Sequence, residues 1–278
     1  MKQLILILCC ITLFFSCKNT NPNYERNLAT MQSMFELHGQ EDLDAQLAML
    51  SKDLDVEVPM YGTENIGYDQ FAAMVKGYQG DDLSDPTTLM ACVKHFAGYG
   101  AVEGGRDYNT VDIGTSTLYN MVFPPFIAAK NAGVKTFMNS FNELNGIPAT
   151  GNKYLQRDIL KEEWAYDGFI VSDWGSITEM IAHGHAKDGE HAAELALNAG
   201  SDMDMESYLY VKHLENLVGN DKVNLNSIDD ATRRILKVKF ELGLFDDPYK
   251  YCDLEREKEI TGSEEINNAA LDIAKKSI

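Results

Sequence analysis

The chain has 278 residues, 45% of them hydrophobic, and a formal net charge of −19. That length and apolar share are enough for one large or two small domains with an ordinary core. The negative balance is spread along the chain rather than gathered in a tail, which argues against nucleic acid and anionic lipid surfaces as partners.

Met1-Lys2, the apolar run Leu4 to Phe15 and then Ser16-Cys17 predict a secretory signal over 1–17. The run is too short to cross a bilayer as a helix, which takes about 20 residues. Leu13-Phe14-Phe15-Ser16-Cys17 is similar to a bacterial lipobox, with Phe14 where Leu is usual. On that reading Cys17 is lipidated, the protein is an exported periplasmic or outer-membrane lipoprotein, and it meets the membrane only through the lipid anchor. The alternative is ordinary cleavage with Cys17 incidental. Residues 18–67 read as a tether and a divergent segment, with a helix over Asp42 to Leu54 and a strand over Asp55 to Tyr61. Tyr68 to Tyr78 reads as a helix.

From residue 89 strands and helices alternate. Leu89 to Phe96 is strand-like, and a loop with Gly98, Gly100, Gly104 and Gly105 follows. Ser116 to Ala132 is a helix interrupted at Pro124-Pro125, and Val134 to Phe141 is the next strand. Asn152 to Trp164 is an amphipathic helix with Tyr154, Leu155, Ile159, Leu160 and Trp164 on one side. Strands at 168–173 and 202–205 and helices at 189–199, Leu209 to Val218 and Ile228 to Leu242 complete the pattern. Such alternation predicts βαβ units on a parallel sheet. Four βα units occupy 89–245, with room for one or two more upstream. The predicted fold class is therefore α/β, a TIM-type (β/α) barrel that is incomplete, since a closed ring usually takes about 250 residues.

Cys92 sits in an apolar run and is predicted to be buried. Neither a CxxC nor a His/Cys spacing suggests a metal, and His183-Gly184-His185 has no third ligand nearby, so no cofactor is expected. The stretch Gly168-Phe169-Ile170-Val171-Ser172-Asp173-Trp174-Gly175 carries the chemistry. It reads as a buried strand ending in a carboxylate, an indole and a glycine. At the carboxyl end of a parallel strand, Asp173 could attack or stabilise an oxocarbenium-like carbon while Trp174 stacks on the C–H face of a pyranose. The plainer reading, that Asp173 caps the next helix, stays open.

Four motifs occur in order: Lys94-His95-Phe96-Ala97; Gly104-Gly105-Arg106-Asp107-Tyr108-Asn109; Met138 through Pro148; and Ser172-Asp173-Trp174-Gly175. Together they resemble glycoside hydrolase family 3, in its β-glucosidase and β-xylosidase branch. The resemblance implies a retaining glycosidase acting on oligosaccharides or aryl glycosides, with a hydrolase barrel over 68–262. Asp173 matches the nucleophile. Lys94 and His95 match donors to sugar hydroxyls, Met138 and Phe141 match residues of the same subsite, and Trp174 looks like part of its wall. Phe141 stands where many members carry Tyr. Arg106 and Asp107 fall in a loop over the site, with no role assigned.

The departures are equally specific. Neither the family's early sugar-binding Asp nor its Gly-Arg motif is found before residue 89. The family's general acid usually sits in a second domain, and 263–278 looks like the start of a linker to one, so the chain resembles an internally deleted and C-terminally shortened member. Glu103, Glu143 and Glu179 match no acid position in the family. Three other readings remain. One is the N-acetylglucosaminidase branch, whose loop His is missing from 142–151. Another is an aldolase with Lys94 as Schiff base, and the third is a non-catalytic sugar-binding remnant.

Overall fold

The structure is a computed structural model that describes residues 68–277. The predicted signal, Cys17, the tether and the elements at 42–54 and 55–61 lie outside the described residues.

Helix α1 (Tyr68–Gln79) buries Val75 against the core. Its last residue ties three segments together. Gln79 Nε2 donates to Gly133 O at 2.9 Å, and Gln79 Oε1 accepts from Ala91 N at 3.3 Å and Lys135 N at 3.1 Å. Ala91 and Lys135 lead directly into strands β1 (Cys92–Phe96) and β3 (Thr136–Asn139), so one buried amide aligns the entry of both. Between them lie the two-residue strand β2 (Thr110–Val111), a helical turn (Thr115–Thr117), a π-type turn (Leu118–Val122) and helix α2 (Phe123–Asn131). The break comes before Pro124-Pro125 rather than at it. In the first turn of a helix the missing proline N–H has no partner to lose.

Strands β4 (Glu143–Leu144) and β5 (Ile147–Pro148) form a hairpin. Its turn residues Asn145 and Gly146 have φ of 52° and 81°, the positive values that a tight primed turn requires. Helix α3 (Tyr154–Glu163), of π type, leads to β6 (Phe169–Val171). The remaining helices are α4 (Ser176–Ala182), α5 (Gly189–Ala199), α6 (Leu209–Gly219), α7 (Leu225–Glu241), α8 (Leu254–Ile260) and α9 (Glu264–Lys276).

The main sheet is parallel in the order β1-β3-β6, with Phe137 opposite Ile170 and Met138 opposite Val171. The predicted strand at 202–205 reduces to one bridge, Met203 beside Val171. A second small sheet joins β2, β4 and β5. Strands alternate faces with period two. Phe96, Phe137 and Ile170 enter a core with Phe123, Leu155, Leu160 and Trp164, while Val171 and Met138 meet Val238 of α7. Phe96 centres an aromatic group, its ring 5.1 to 5.9 Å from those of Phe123, Phe126, Phe137 and Trp164.

The predicted TIM-type barrel does not close among the described residues. Three paired strands and one bridge form an open parallel sheet, and among the described residues β1 is paired only on its β3 side. Cys92, predicted to be buried, is solvent-accessible, although crowding by its neighbours raises its thiol pKa. Among the described residues β1 is the outermost strand of its sheet, which leaves Cys92 at the sheet edge.

Strand β6 is held at its entry by charge. Asp202 Oδ2 accepts from Ile170 N, and Asp202 N donates to Ile170 O, both at 2.8 Å. Lys161 Nζ lies 2.5 Å from Asp202 Oδ1. Arg234 donates to Tyr166 O at 2.8 Å and Gly168 O at 2.9 Å.

Candidate active site

Because β1, β3 and β6 run parallel, the residues that follow them share one edge of the sheet. Ser140 N donates to Phe96 O at 3.0 Å, so the pairing persists just past β3. The segment around Asp173 is fixed from both sides. Ser172 N donates to Met203 O at 2.9 Å, Met205 N donates to Ser172 Oγ at 2.8 Å, and Gly175 N donates to Met205 O at 3.0 Å.

Asp173 is 8% exposed. Its Oδ1 accepts from Trp174 N at 2.7 Å. Oδ2 lies 3.2 Å from His95 Nε2, close enough to pair with a charged imidazole but not aligned as a hydrogen bond, and this buried oxygen has no other partner. Helix α4 starts after Gly175 with no side-chain cap, so Asp173 does not cap it through its carboxylate. Burial holds the His95 pKa below its ordinary value, and nearby Lys94 adds to this against the pull of Asp173. Asp173 Oδ2 is thus a buried carboxylate oxygen without a hydrogen-bond partner.

Lys94 is exposed and has no ion-pair partner among the described residues, so the pair with Asp173 that the sequence allows is not formed. Phe141 is half-buried, its ring 4.6 Å from that of Tyr108 and 6.4 Å from that of Tyr99. Tyr99 in turn meets His95 edge-on at 5.1 Å. Burial, then the Asp107 carboxylate, pushes the Tyr99 phenol up to about 12. Met138 packs into the apolar group around Val171 and Val238. Trp174 is 64% exposed. The structure thus brings Asp173 and His95 into contact and links Phe141 to the same edge, with Trp174 projecting outward and Lys94 apart.

The sequence reading missed a second set of residues at this edge. Glu179 lies on helix α4 and His183, one turn on, is the residue that ends it; His183 Nδ1 lies 3.2 Å from Glu143 Oε1 at the start of β4. Glu143 Oε2 accepts from Thr110 Oγ1 at 3.1 Å. Burial raises the Glu179 pKa against the pull of His183, and the charge of Asp173 adds a smaller push upward. The available signal was the i, i+4 spacing of Glu179 and His183 directly after the Asp173 strand.

The family profile of the glycosyl hydrolase family 3 N-terminal domain matches residues 64–238. A periplasmic β-glucosidase of Salmonella typhimurium is 48% identical over 178 residues, covering 64% of this chain and 23% of that protein. A β-xylosidase of Formosa agariphila is 36% identical over 217 residues, covering 74% of this chain and 30% of that protein. The crystal structure of a β-glucosidase from Listeria innocua in complex with isofagomine superposes with a TM-score of 0.70 at 42% identity, covering 74% of this chain and 29% of the other. The chain spans about a quarter of the length of the curated relatives it matches. With the profile match, the parallel sheet and these likenesses together, the chain belongs to glycosyl hydrolase family 3, whose N-terminal domain covers residues 64–238.

Proposed function

We propose that this protein hydrolyses terminal β-D-glucosides with retention of configuration, through a covalent glycosyl-Asp173 intermediate, in β-glucosidase-type carbohydrate catabolism. The observation that carries the reading is Asp173 Oδ2, a buried and unpartnered carboxylate oxygen at the carboxyl edge of a parallel sheet. A desolvated carboxylate with a free lone pair is suited to attack at an anomeric carbon. The bond from Oδ2 to the sugar carbon forms as the glycosidic C–O bond breaks. The leaving oxygen takes a proton from solvent, and water later attacks the same carbon, gives up a proton and releases the carboxylate.

His95 donates to a sugar hydroxyl near the reacting carbon, and Lys94 reaches a further hydroxyl from β1. Trp174 and Phe141 give apolar surface for the C–H faces of the ring, and Met138 backs the same subsite. The sheet belongs, on this reading, to a TIM-type barrel. Export is part of the proposal. It is supported by the apolar run before Cys17 and by the relative described as periplasmic.

The test uses dinitrophenyl β-glucoside, whose leaving group needs no proton, so the rate isolates the nucleophile. The 278-residue chain releases dinitrophenol and Asp173→Ala does not; added azide captures the glycosyl intermediate of the unaltered chain as the β-glycosyl azide, whereas in Asp173→Ala it can only displace dinitrophenolate directly and give the α-azide. Equal rates from both proteins refute the reading.

A further inference from the structure

Helix α4, which follows Asp173 directly, carries a polar group that the proposed mechanism does not use. His95 has Asp173 and Lys94 as its charged neighbours, whereas Glu179 has Asp173 and His183. Asp173 is the charged neighbour that the two share. The contact of His183 with Glu143 turns one face of α4 toward the small sheet, and Glu179 lies on that face one turn nearer to Asp173. Tyr108 completes the border. It is 45% exposed, packs on Phe141, and has Glu179 and Asp173 as acidic neighbours.

Glu179 Oε2 is buried yet has no hydrogen-bond partner in the protein. A buried polar oxygen of this kind is rare and needs a reason, and Oε2 of Asp173's neighbour has the same character as Oδ2 of Asp173 itself. Glu143, by contrast, has both oxygens engaged, one by Thr110 and one by His183. The free oxygen beside an exposed aromatic ring is the pairing that a sugar hydroxyl and its adjoining C–H face would fill.

Resting on the glycosidase reading, we infer that Glu179 is a specificity-determining residue that accepts a hydroxyl of the leaving-group sugar, with Tyr108 as the apolar wall of that subsite. Glu143 and His183 are positioning residues that hold α4 at the required distance. The substrate class this implies is a disaccharide or oligosaccharide with a polar second ring, in preference to glycosides of apolar alcohols.

Calorimetric titration of the full chain with glucose and with the sulfur-linked disaccharide thiocellobiose tests this without turnover. The unaltered chain binds thiocellobiose more tightly than glucose. Glu179→Ala removes that advantage, a loss of about tenfold to a hundredfold, as expected for a hydrogen bond to a charged group, and leaves glucose binding within about twofold. Glu179→Gln keeps part of the advantage, because its amide oxygen still accepts. His183→Gln lowers it to a lesser degree by releasing α4. The inference is overturned if Glu179→Ala keeps the ratio of the two affinities, or if it weakens both sugars equally. If neither sugar binds the unaltered chain, the glycosidase reading fails first and this one with it. Glu179 makes no hydrogen bond through Oε2, so its removal takes no such contact from the fold.

Discussion

Replacing Lys161 by Met tests the charge that holds β6 in place. The Lys161 and Asp202 side chains are 6% and 2% exposed, so neither is solvated by water. Burial lowers the Lys161 pKa and raises that of Asp202, each opposed by the other's charge. Removing one partner strands a buried charge, at a cost of about 3–5 kcal/mol. Lys161→Met leaves Asp202 with only Ile170 N and falls in that range. Asp202→Asn keeps an acceptor for Ile170 N and leaves Lys161 with Asp230 Oδ2 at 4.0 Å, so its cost lies at the low end. The double variant removes both charges and retains the backbone bond, and its cost returns to about 1–2 kcal/mol, because a buried pair is often neutral against apolar replacement. For a body of this size about 3 kcal/mol lowers the Tm by roughly 6–12 °C. Urea and thermal melts of the four proteins make a complete double-mutant cycle. Single variants costing less than about 1 kcal/mol, or a double variant equal to the sum of the singles, would refute the reasoning.

Other outcomes follow from the same structure. His95 has a folded pKa below its ordinary 6.5, so between the two values the unfolded chain binds more protons and stability falls as pH drops below about 6.5; His95→Gln flattens that part of the pH–stability curve, leaving the similar contribution of His185. Phe137→Ala opens a cavity against Phe96, Phe126 and Tyr166 and costs about 3–5 kcal/mol in a urea melt. At Gly168 a Cβ would come within 2.2 Å of the Tyr166 hydroxyl and 2.4 Å of Lys135 O, so Gly168→Ala destabilises by about 1–3 kcal/mol, and a cost near zero would count against the close approach. Cys17→Ala shifts the protein from the membrane fraction to the soluble one if Cys17 carries a lipid, and unchanged fractionation rules out the anchor that the sequence around Cys17 predicts.

Helix periodicity was legible wherever an apolar face met the sheet. The helix at 189–199 was read from the sequence with the bounds observed for α5, and α7 was offset by three residues at its start and one at its end. The strands were read as longer than they are, since apolar runs continue into loops whose backbone leaves the ladder: Leu89 to Phe96 shrank to β1, and Val134 to Phe141 to β3. Helix α4 was anticipated only as the helix that Asp173 would cap, without bounds. Its seven residues are too few for a periodic signal, and Gly175 offers no capping side chain. The hairpin of β4 and β5 was legible in principle, as Asn145-Gly146 is a strong turn signal. Of the site, the Asp173 motif marked its own strand end, while the contact of His183 with Glu143 spans forty residues and depends on how α4 is set against the small sheet.

The two tryptophans occupy opposite environments. Trp164 is 8% exposed, with its ring 5.7 Å from that of Phe96 and 5.2 Å from that of Phe123, whereas Trp174 is 64% exposed beside Asp173. The native emission is therefore a sum of a blue component from a shielded indole and a red component from a wetted one. A collisional quencher such as acrylamide removes the red component first, and a sugar seated at the sheet edge protects it. The blue component reports only on the integrity of the aromatic core. The chain thus carries its own pair of optical probes, one for the surface beside Asp173 and one for unfolding, with no label attached.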